Sequence, residues 1–426
     1  MRNPVSEAAV PPAPDRLKFT GSFTQQAPLP QASIDGALDV LMSSRLHRYN
    51  TVEGDAGVTA RLEETVATWQ GRKYCLAVTS GGQAIQIALR AAGVRPGDAV
   101  LVNAFTLAPV PGAIEAVGGR AVLVETGDDL RPDLHDLETR VDASGARFLL
   151  LSHMRGHAPD MGRLMALADR LGLTVIEDCA HSMGGWVGGV RSGNHGRVAC
   201  FSSQTYKHVN SGEGGFLVSD DPDLMARATI LSGSYMLYAR HGASPPEDAF
   251  RAVREVTPNL SARMDALRAA VILPQIAGID HNVAEWNRRH DALADAFRGA
   301  NRVALPGALP GELRVGSSFQ FRVPDFGPED CARLVRLAAE DGVELKWFGA
   351  PEPHGFTSTH KSWRYLEDQS LPNADRVLAT LFDMRLPLTF SVEDCRLIGR
   401  ILLACIEDVA TGARKSAAQL SDMGRD

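Results

Sequence analysis

The chain has 426 residues, 44% of them hydrophobic and 22% charged, an ordinary globular composition at a length that one hydrophobic core rarely spans. A large domain with a smaller companion is therefore expected. A net charge of -7 with no Lys/Arg stripe argues against a nucleic-acid binder, and no stretch reaches the length of a membrane span.

Residues 1–28 read as a loose arm rich in Pro, Ala and Gln. The opening MRNPVSEAAVPPAPDR lacks the apolar run of a signal peptide. A helix fits Ala32 to Ser43. From Tyr74 short β-rich runs alternate with helical stretches: YCLAV (74–78), AVLVN (99–103), AVLVE (121–125), FLLLS (148–152) and TVIED (174–178), then VACFS (198–202) and FLVS (216–219). The helical segments are QAIQIALRAAG, APVPGAIEAVG and MGRLMALADRLG. Near-continuous apolar strands alternating with helices predict an α/β domain, its mostly parallel sheet covered on both faces.

A long amphipathic helix is expected from Met264 to about Arg298. FQFRV (319–323), PEDCARLVRLAAEDG and VELKWF then read as strand, helix and strand. SVEDCRLIGRILLACIEDVA closes the fold, with Ser391 as its N-cap. The expected division is an arm (1–28), a large domain (29–280), a smaller α+β domain (281–412) and a polar tail (413–426). Six cysteines without CxxC spacing read as reduced, buried thiols of a cytoplasmic protein.

Ligands of open α/β sheets bind beyond the carboxyl ends of the strands, and three segments place polar residues there. Thr79-Ser80-Gly81-Gly82 precedes a helix beginning near Gln83, whose free N–H groups and dipole suit a phosphate; an ordinary tight turn would look similar. Asp178 ends an apolar strand, where a carboxylate needs a partner such as a pyridinium nitrogen; capping the next helix is the simpler alternative. Lys207 follows a strand and precedes Gly212, Gly214 and Gly215, a setting in which a lysine could form an imine with an aldehyde, although most lysines are solvated. Ser202, five residues before it, could bond a phosphate. An anion cradle, a ring-nitrogen carboxylate and an imine lysine thus follow one another along one sheet.

These motifs, with RPGDAVLV (95–102), IEDCAHSMGG (176–185), FSSQTYKHVNSGEGG (201–215), NLSARMDALRAAVI (259–272) and LPNAD…MRLPLT (371–389), resemble the sugar aminotransferases of the DegT/DnrJ/EryC1/StrS group over roughly residues 28–410. The resemblance implies a fold-type-I enzyme using pyridoxal 5'-phosphate (PLP), with no metal. It implies that Lys207 carries the cofactor as an aldimine and moves protons, and that Asp178 pairs with the pyridine nitrogen. His181 would lie near the phenolic oxygen. Ser80, Gly81, Gly82, Gln83 and Ser202 would hold the phosphate. Asn259 is the candidate to reach the phosphate of a neighbouring subunit, since a homodimer with shared active sites is implied.

Two departures stand out. The family's SGT turn reads Ser80-Gly81-Gly82 and loses a hydroxyl, and its ring-stacking aromatic is replaced by Leu107, with Phe105 nearby. The implied reaction moves an amino group from glutamate or glutamine to a keto sugar, nucleotide-linked in many members, or to a cyclitol ketone. Lysine at 207 in place of histidine argues against the family's dehydratase branch. A PLP dehydratase or lyase is the second reading. A regulatory or metal-binding protein is the third, but His153, Asp178, Cys179 and His181 match no standard zinc spacing. The segment 233–250, with Tyr235, Tyr238, Arg240 and His241, is the least family-like stretch, suited to specificity, packing or a dimer contact.

Overall fold

The computed structural model describes residues 16–413; the first part of the expected arm (1–15) and nearly all of the expected tail (414–426) lie outside the described residues. The main sheet uses β1 (Tyr74–Val78), β2 (Ala99–Asn103), β3 (Arg120–Val124), β4 (Phe148–Ser152) and β5 (Thr174–Asp178). A small ribbon, β6 (Trp186–Val187) with β7 (Val190–Arg191), precedes its last two strands, β8 (Val198–Ser202) and β9 (Gly215–Ser219). The order is β1-β9-β8-β5-β4-β2-β3. Only β9 runs antiparallel to its neighbours, so β1, β2, β4, β5 and β8 all end along one edge. Ser80, Ser152, Asp178 and Ser202 stand at or just beyond that edge.

The helices of this domain are α1 (Gln31–Ser43), α2 (Val58–Gln70), α3 (Gly81–Ala92), α4 (Pro109–Ala116), α5 (Leu134–Ser144), α6 (Met161–Leu171), α7 (Pro222–Ser232), α8 (Glu247–Arg251) and α9 (Ala266–Ile272). Side chains alternate across each strand, so one strand feeds two cores. Leu76 and Val78 of β1 pack with the residues of α3, α4 and α7, whereas Cys75 and Ala77 pack with those of α2 and α9. A third cluster joins α5 and α6 to β2, β3 and β4. Burial on both faces is what the near-continuous apolar runs require.

The expected long helix from Met264 is divided. After α9 the chain tightens into a 3-10 turn, Leu273–Gly278, at Pro274, and resumes as α10 (Ile279–Ala296). Proline has no N–H to donate, so the α-helical ladder cannot run through it. Ile279, Val283 and Trp286 belong to the core of the large domain, and Ala292 and Leu293 to that of the small one. Thus α10 joins the two units, where the sequence suggested a boundary at 280.

The small unit adds α11 (Pro328–Glu340) and α13 (Val392–Thr411) to a sheet of β10 (Ser318–Arg322), β11 (Lys346–Trp347) and β12 (Leu381–Arg385), ordered β10-β12-β11 and antiparallel, while α12 (Pro372–Leu378) lays Ala374 into the core of the large domain. Ser391 caps α13 in a capping box with Asp394. The described part of the arm is not loose. Phe19 and Phe23 are buried in the small core, each edge-on to Phe390 with ring centroids 4.9 Å apart. Truncating such a ring leaves a cavity, so Phe23→Ala is expected to cost about 3 kcal/mol of stability. A shift of the urea midpoint at unchanged slope measures it; an unshifted midpoint contradicts the packing.

Candidate active site

The ends of β1, β2, β4, β5 and β8 and the β8–β9 loop converge on a cavity of about 230 Å³. At the end of β1, Ser80 caps α3, its Oγ accepting from the N–H of Gln83 at 3.1 Å. That N–H is therefore engaged, and the first-turn N–H groups of Gly81 and Gly82 are the ones helix geometry leaves without an intrahelical partner. A Cβ on Gly81 would lie 2.8 Å from Cβ of Ser202, and one on Gly215 would lie 2.5 Å from the Ser80 carbonyl. These two glycines let β8 and β9 close against the turn. A Cβ on Gly82 would meet only Ser80 Oγ at 3.9 Å, so the missing hydroxyl leaves open space.

At the end of β5, Asp178 is buried. Its Oδ1 accepts from the N–H of Ala180 at 3.1 Å, and its Oδ2 from Ser152 Oγ at 2.9 Å. Ser152 in turn accepts from Thr106 Oγ1 at 2.9 Å, a directed chain of hydroxyls running to the carboxylate. No capping role is left for Asp178, because the residues after it form turns and not a helix.

Lys207 lies in the loop between β8 and β9, which is folded tightly by Ser203 N–H to Gly214 O and Thr205 N–H to Gly212 O. Gly214 sits at φ +156°, and a Cβ there would meet Ser203 Oγ at 2.3 Å. The loop delivers Lys207 Nζ to within 3.0 Å of His181 Nε2. The side chain lines the cavity and is half-buried. Burial, reinforced by the Arg155 and Arg385 guanidiniums and opposed by Asp178, brings its ammonium down to about 7. Burial and the Lys207 charge likewise push His181 well below the usual histidine value. With its proton affinity lowered to about 7, a substantial fraction of the amine is unprotonated near neutral pH.

Of the residues singled out from sequence, Ser80, Gly81, Gly82, Leu107, Asp178, His181, Ser202 and Lys207 line this one cavity. Phe105 does not; its ring is fully buried against Phe348 at 5.3 Å, leaving Leu107 as the apolar side chain of that turn at the cavity, beside Thr106. Gln83 and Asn259 are absent from the lining. Asn259 Oδ1 accepts from the N–H of Ser261 at 2.8 Å, and its buried Nδ2 has no partner among the described residues. His241 of the 233–250 segment bonds Arg48 and Tyr49, beside the buried Arg48–Glu63 pair, which anchors that segment away from the cavity.

The zinc grouping weighed from sequence does not assemble. His153, Glu177 and Cys179 are close together, but Glu177 already bonds His153 at 2.9 Å and accepts from the N–H groups of Gly193, His195 and Gly196. That is a tie holding the 191–196 loop. Sequence reasoning missed Thr106, Ser152, Arg155, Tyr206, Lys346, Phe356 and Arg385, which also line the cavity. The polar end of FLLLS was a signal for Ser152, and MRLPLT contained Arg385 without a role.

The sequence pattern that defines the DegT/DnrJ/EryC1/StrS aminotransferase family matches residues 42–401. The chain is 33% identical over 268 residues to dTDP-3-amino-3,4,6-trideoxy-alpha-D-glucose transaminase of Streptomyces venezuelae, covering 61% of this chain and 65% of that one. It is 28% identical over 291 residues to L-glutamine:scyllo-inosose aminotransferase of Streptomyces griseus, covering 67% and 68%. The aligned part thus spans about two thirds of these relatives. The fold matches a crystal structure of 3-amino-5-hydroxybenzoic acid synthase with a TM-score of 0.77 at 22% identity, over 91% of this chain and 99% of that one.

An amine held near 7 has a measurable signature. Labelling of Lys207 in the apoprotein by an aldehyde and cyanoborohydride is expected to rise through about pH 7, while surface lysines respond only near their ordinary value of about 10.4. Peptide mapping of the label reads this, and a Lys207 profile that tracks the surface lysines contradicts it.

Proposed function

Because the chain belongs to the DegT/DnrJ/EryC1/StrS aminotransferase family, we propose that it is a PLP-dependent aminotransferase acting on the ketone of a sugar or cyclitol. The observation that carries this reading is a half-buried lysine amine with lowered proton affinity in one cavity with a buried aspartate and an open helix N-terminus. The residues fit the cofactor. Gly81 and Gly82 N–H groups with Ser202 Oγ would take its phosphate, Asp178 its ring nitrogen, and Leu107 with Ala180 would flank its ring. When bound, PLP supplies an electron sink that stabilises negative charge on the substrate carbon.

This chain's residues do the rest. Lys207 Nζ is placed to hold and return the proton that moves during amine transfer, and His181 Nε2 steadies it from 3.0 Å. The Thr106–Ser152–Asp178 chain orients the carboxylate by donating to it. The amino donor in this reading is glutamate or glutamine, in keeping with the glutamine named for the S. griseus relative. The six cysteines are free and buried, which suits the reducing cytoplasm. No helix among the described residues is long and apolar enough to cross a membrane.

The reading includes a homodimer. Leu38, Leu41 and Met42 of α1 are exposed, Met42 by 85%, as are Tyr235, Met236 and Val256. Apolar exposure on that scale suits a covered face, and the buried, unpartnered Nδ2 of Asn259 suits a ligand brought by the second copy.

Glutamate or glutamine added to the holoenzyme should discharge its visible absorption band and yield the keto acid. A dehydratase or lyase would leave the band in place, and that result rejects transamination. Lys207→Ala is expected to lower amine transfer by about a thousandfold or more while leaving the fold intact by circular dichroism. Gly82→Thr should restore a hydroxyl at the phosphate end and tighten cofactor binding by roughly two- to tenfold, the worth of one hydrogen bond. Equilibrium dialysis measures it, and looser binding contradicts the phosphate placement. Light scattering should give twice the 45.7 kDa chain mass, falling to one in Leu41→Glu/Met42→Glu.

A further inference from the structure

The cavity has a second charged region that the cofactor does not need. Arg155, from the 3-10 turn after β4, and Lys346 and Arg385, from β11 and β12 of the small unit, all face it. Arg155 and Arg385 also line an adjoining cavity of about 270 Å³, together with Lys207, Tyr206 and His181. They therefore stand at the neck between the two spaces, beside the reactive amine. The helix start at Ser80–Gly82 and Ser202 meets an anion with neutral donors; this region meets one with full charges.

The carboxylates present do not neutralise it. Asp383 takes Arg155 Nη2 at 2.5 Å, and its other oxygen accepts from Gln320 at 2.8 Å. Among the described residues Lys346 and Arg385 are in no ion pair. The only other acids lining this cavity are Asp178, engaged with Ser152 and Ala180, and the exposed Glu213. Asp383, with both oxygens already accepting hydrogen bonds, acts on Arg155 and Lys346, as does Glu344 on Lys346, which leaves the three cations with no carboxylate of their own in the cavity.

Their placement is built. Arg155 holds a left-handed backbone at φ +55°, a conformation unfavourable for a residue with a Cβ, which persists only where surroundings enforce it. Its side chain is nine-tenths buried, and its Nε is buried without a hydrogen-bond partner. The Arg385 guanidinium lies over the Tyr206 ring, 3.6 Å from its centroid, which fixes its plane next to Lys207. A planar guanidinium with free donors is the side chain best matched to a carboxylate or phosphate.

We infer that Arg155, Lys346 and Arg385 form one anion subsite used in both half-reactions, so that the ketone acceptor, like the amino donor, carries a carboxylate or phosphate close to its reacting carbon. This rests on the aminotransferase reading. Donor and acceptor occupy the same cavity in turn and present their reacting carbons to the same lysine. The donor's carboxylate accounts for the charge in the first half-reaction. A neutral acceptor would leave two or more cations desolvated without a counter-charge in the second, which is costly.

The test uses holoenzyme, in its lysine-bound form and in the aminated form left by the donor. Glutarate, which cannot react, is titrated into the first and followed by calorimetry and by its competition with glutamate. The keto acid 3-oxocyclohexanecarboxylate and its methyl ester are titrated into the second. Wild type should bind glutarate but not dimethyl glutarate, and should prefer the keto acid to its ester by about tenfold or more. Arg385→Gln and Lys346→Met, which strand no ion-paired carboxylate, should weaken both acids about tenfold while retaining cofactor colour; Arg385→Lys should recover part of the loss. Effects on glutarate alone, equal binding of acid and ester, or failure of the keto acid to bind would overturn the shared subsite. Loss of colour-forming cofactor binding in wild type would instead reject the aminotransferase reading itself.

Discussion

Desolvation of one amine is the constraint around which the molecule is arranged. Lys207 can lose its proton near neutral pH only because its amine is desolvated and other cations stand close. Each contribution has a separate structural source. The β8–β9 loop carries the lysine inward, and the antiparallel return of β9 brings Gly215 against Ser80 so that no gap opens beneath it. His181 comes from the turn after β5. Arg385 comes from the small unit, more than 170 residues further along the chain. The packing of the two units is thus part of the electrostatics of the lysine, and α10, shared by both cores, is the element that fixes it.

How much of this was legible depended on whether the signal was local. The parallel sheet was readable because strands buried on both faces must be apolar throughout, and Ser80, Asp178 and Lys207 stood out as polar interruptions at strand ends. Helices α2, α5 and α7 were not read, each for its own reason. The buried face of α2 carries Glu63 and Gln70, satisfied by distant partners, so its apolar period is broken. Only Leu137 of α5 is buried. Most of α7 is buried, which erases amphipathic contrast. Strand β12 hides behind a buried Asp383 at its centre, and β11 keeps two residues of the six expected.

The same reasoning separates the two halves of the site. The half proposed to hold the cofactor comes from strand ends within about 130 residues of one sheet, all on one edge. The cationic half needs a 3-10 turn to meet two strands of another unit, and no spacing rule links position 155 to 346 and 385. Arg155 gave no warning either, since its left-handed backbone and its pairing with Asp383 are both invisible in MRGH. The arm illustrates a related point. Proline-rich composition suggested looseness, yet two phenylalanines in its described part suffice to dock it, because burial of an aromatic ring outweighs the ordering of a few residues.

The contrast between the two anion-binding ends also orients whatever enters. A helix start offers partial positive charge through N–H groups that need no deprotonation control and crowd no lysine. Guanidiniums offer full charge, at the expense of proton affinity in any amine nearby. Placing the neutral donors at Ser80–Gly82 and the cations at the neck beside Lys207 lets the second set depress the lysine while the first would bind the proposed phosphate without disturbing it. With the order reversed, a phosphate dianion would neutralise the cations that keep the amine unprotonated. The polarity of the cavity is therefore a condition for the lysine chemistry as well as a means of recognition.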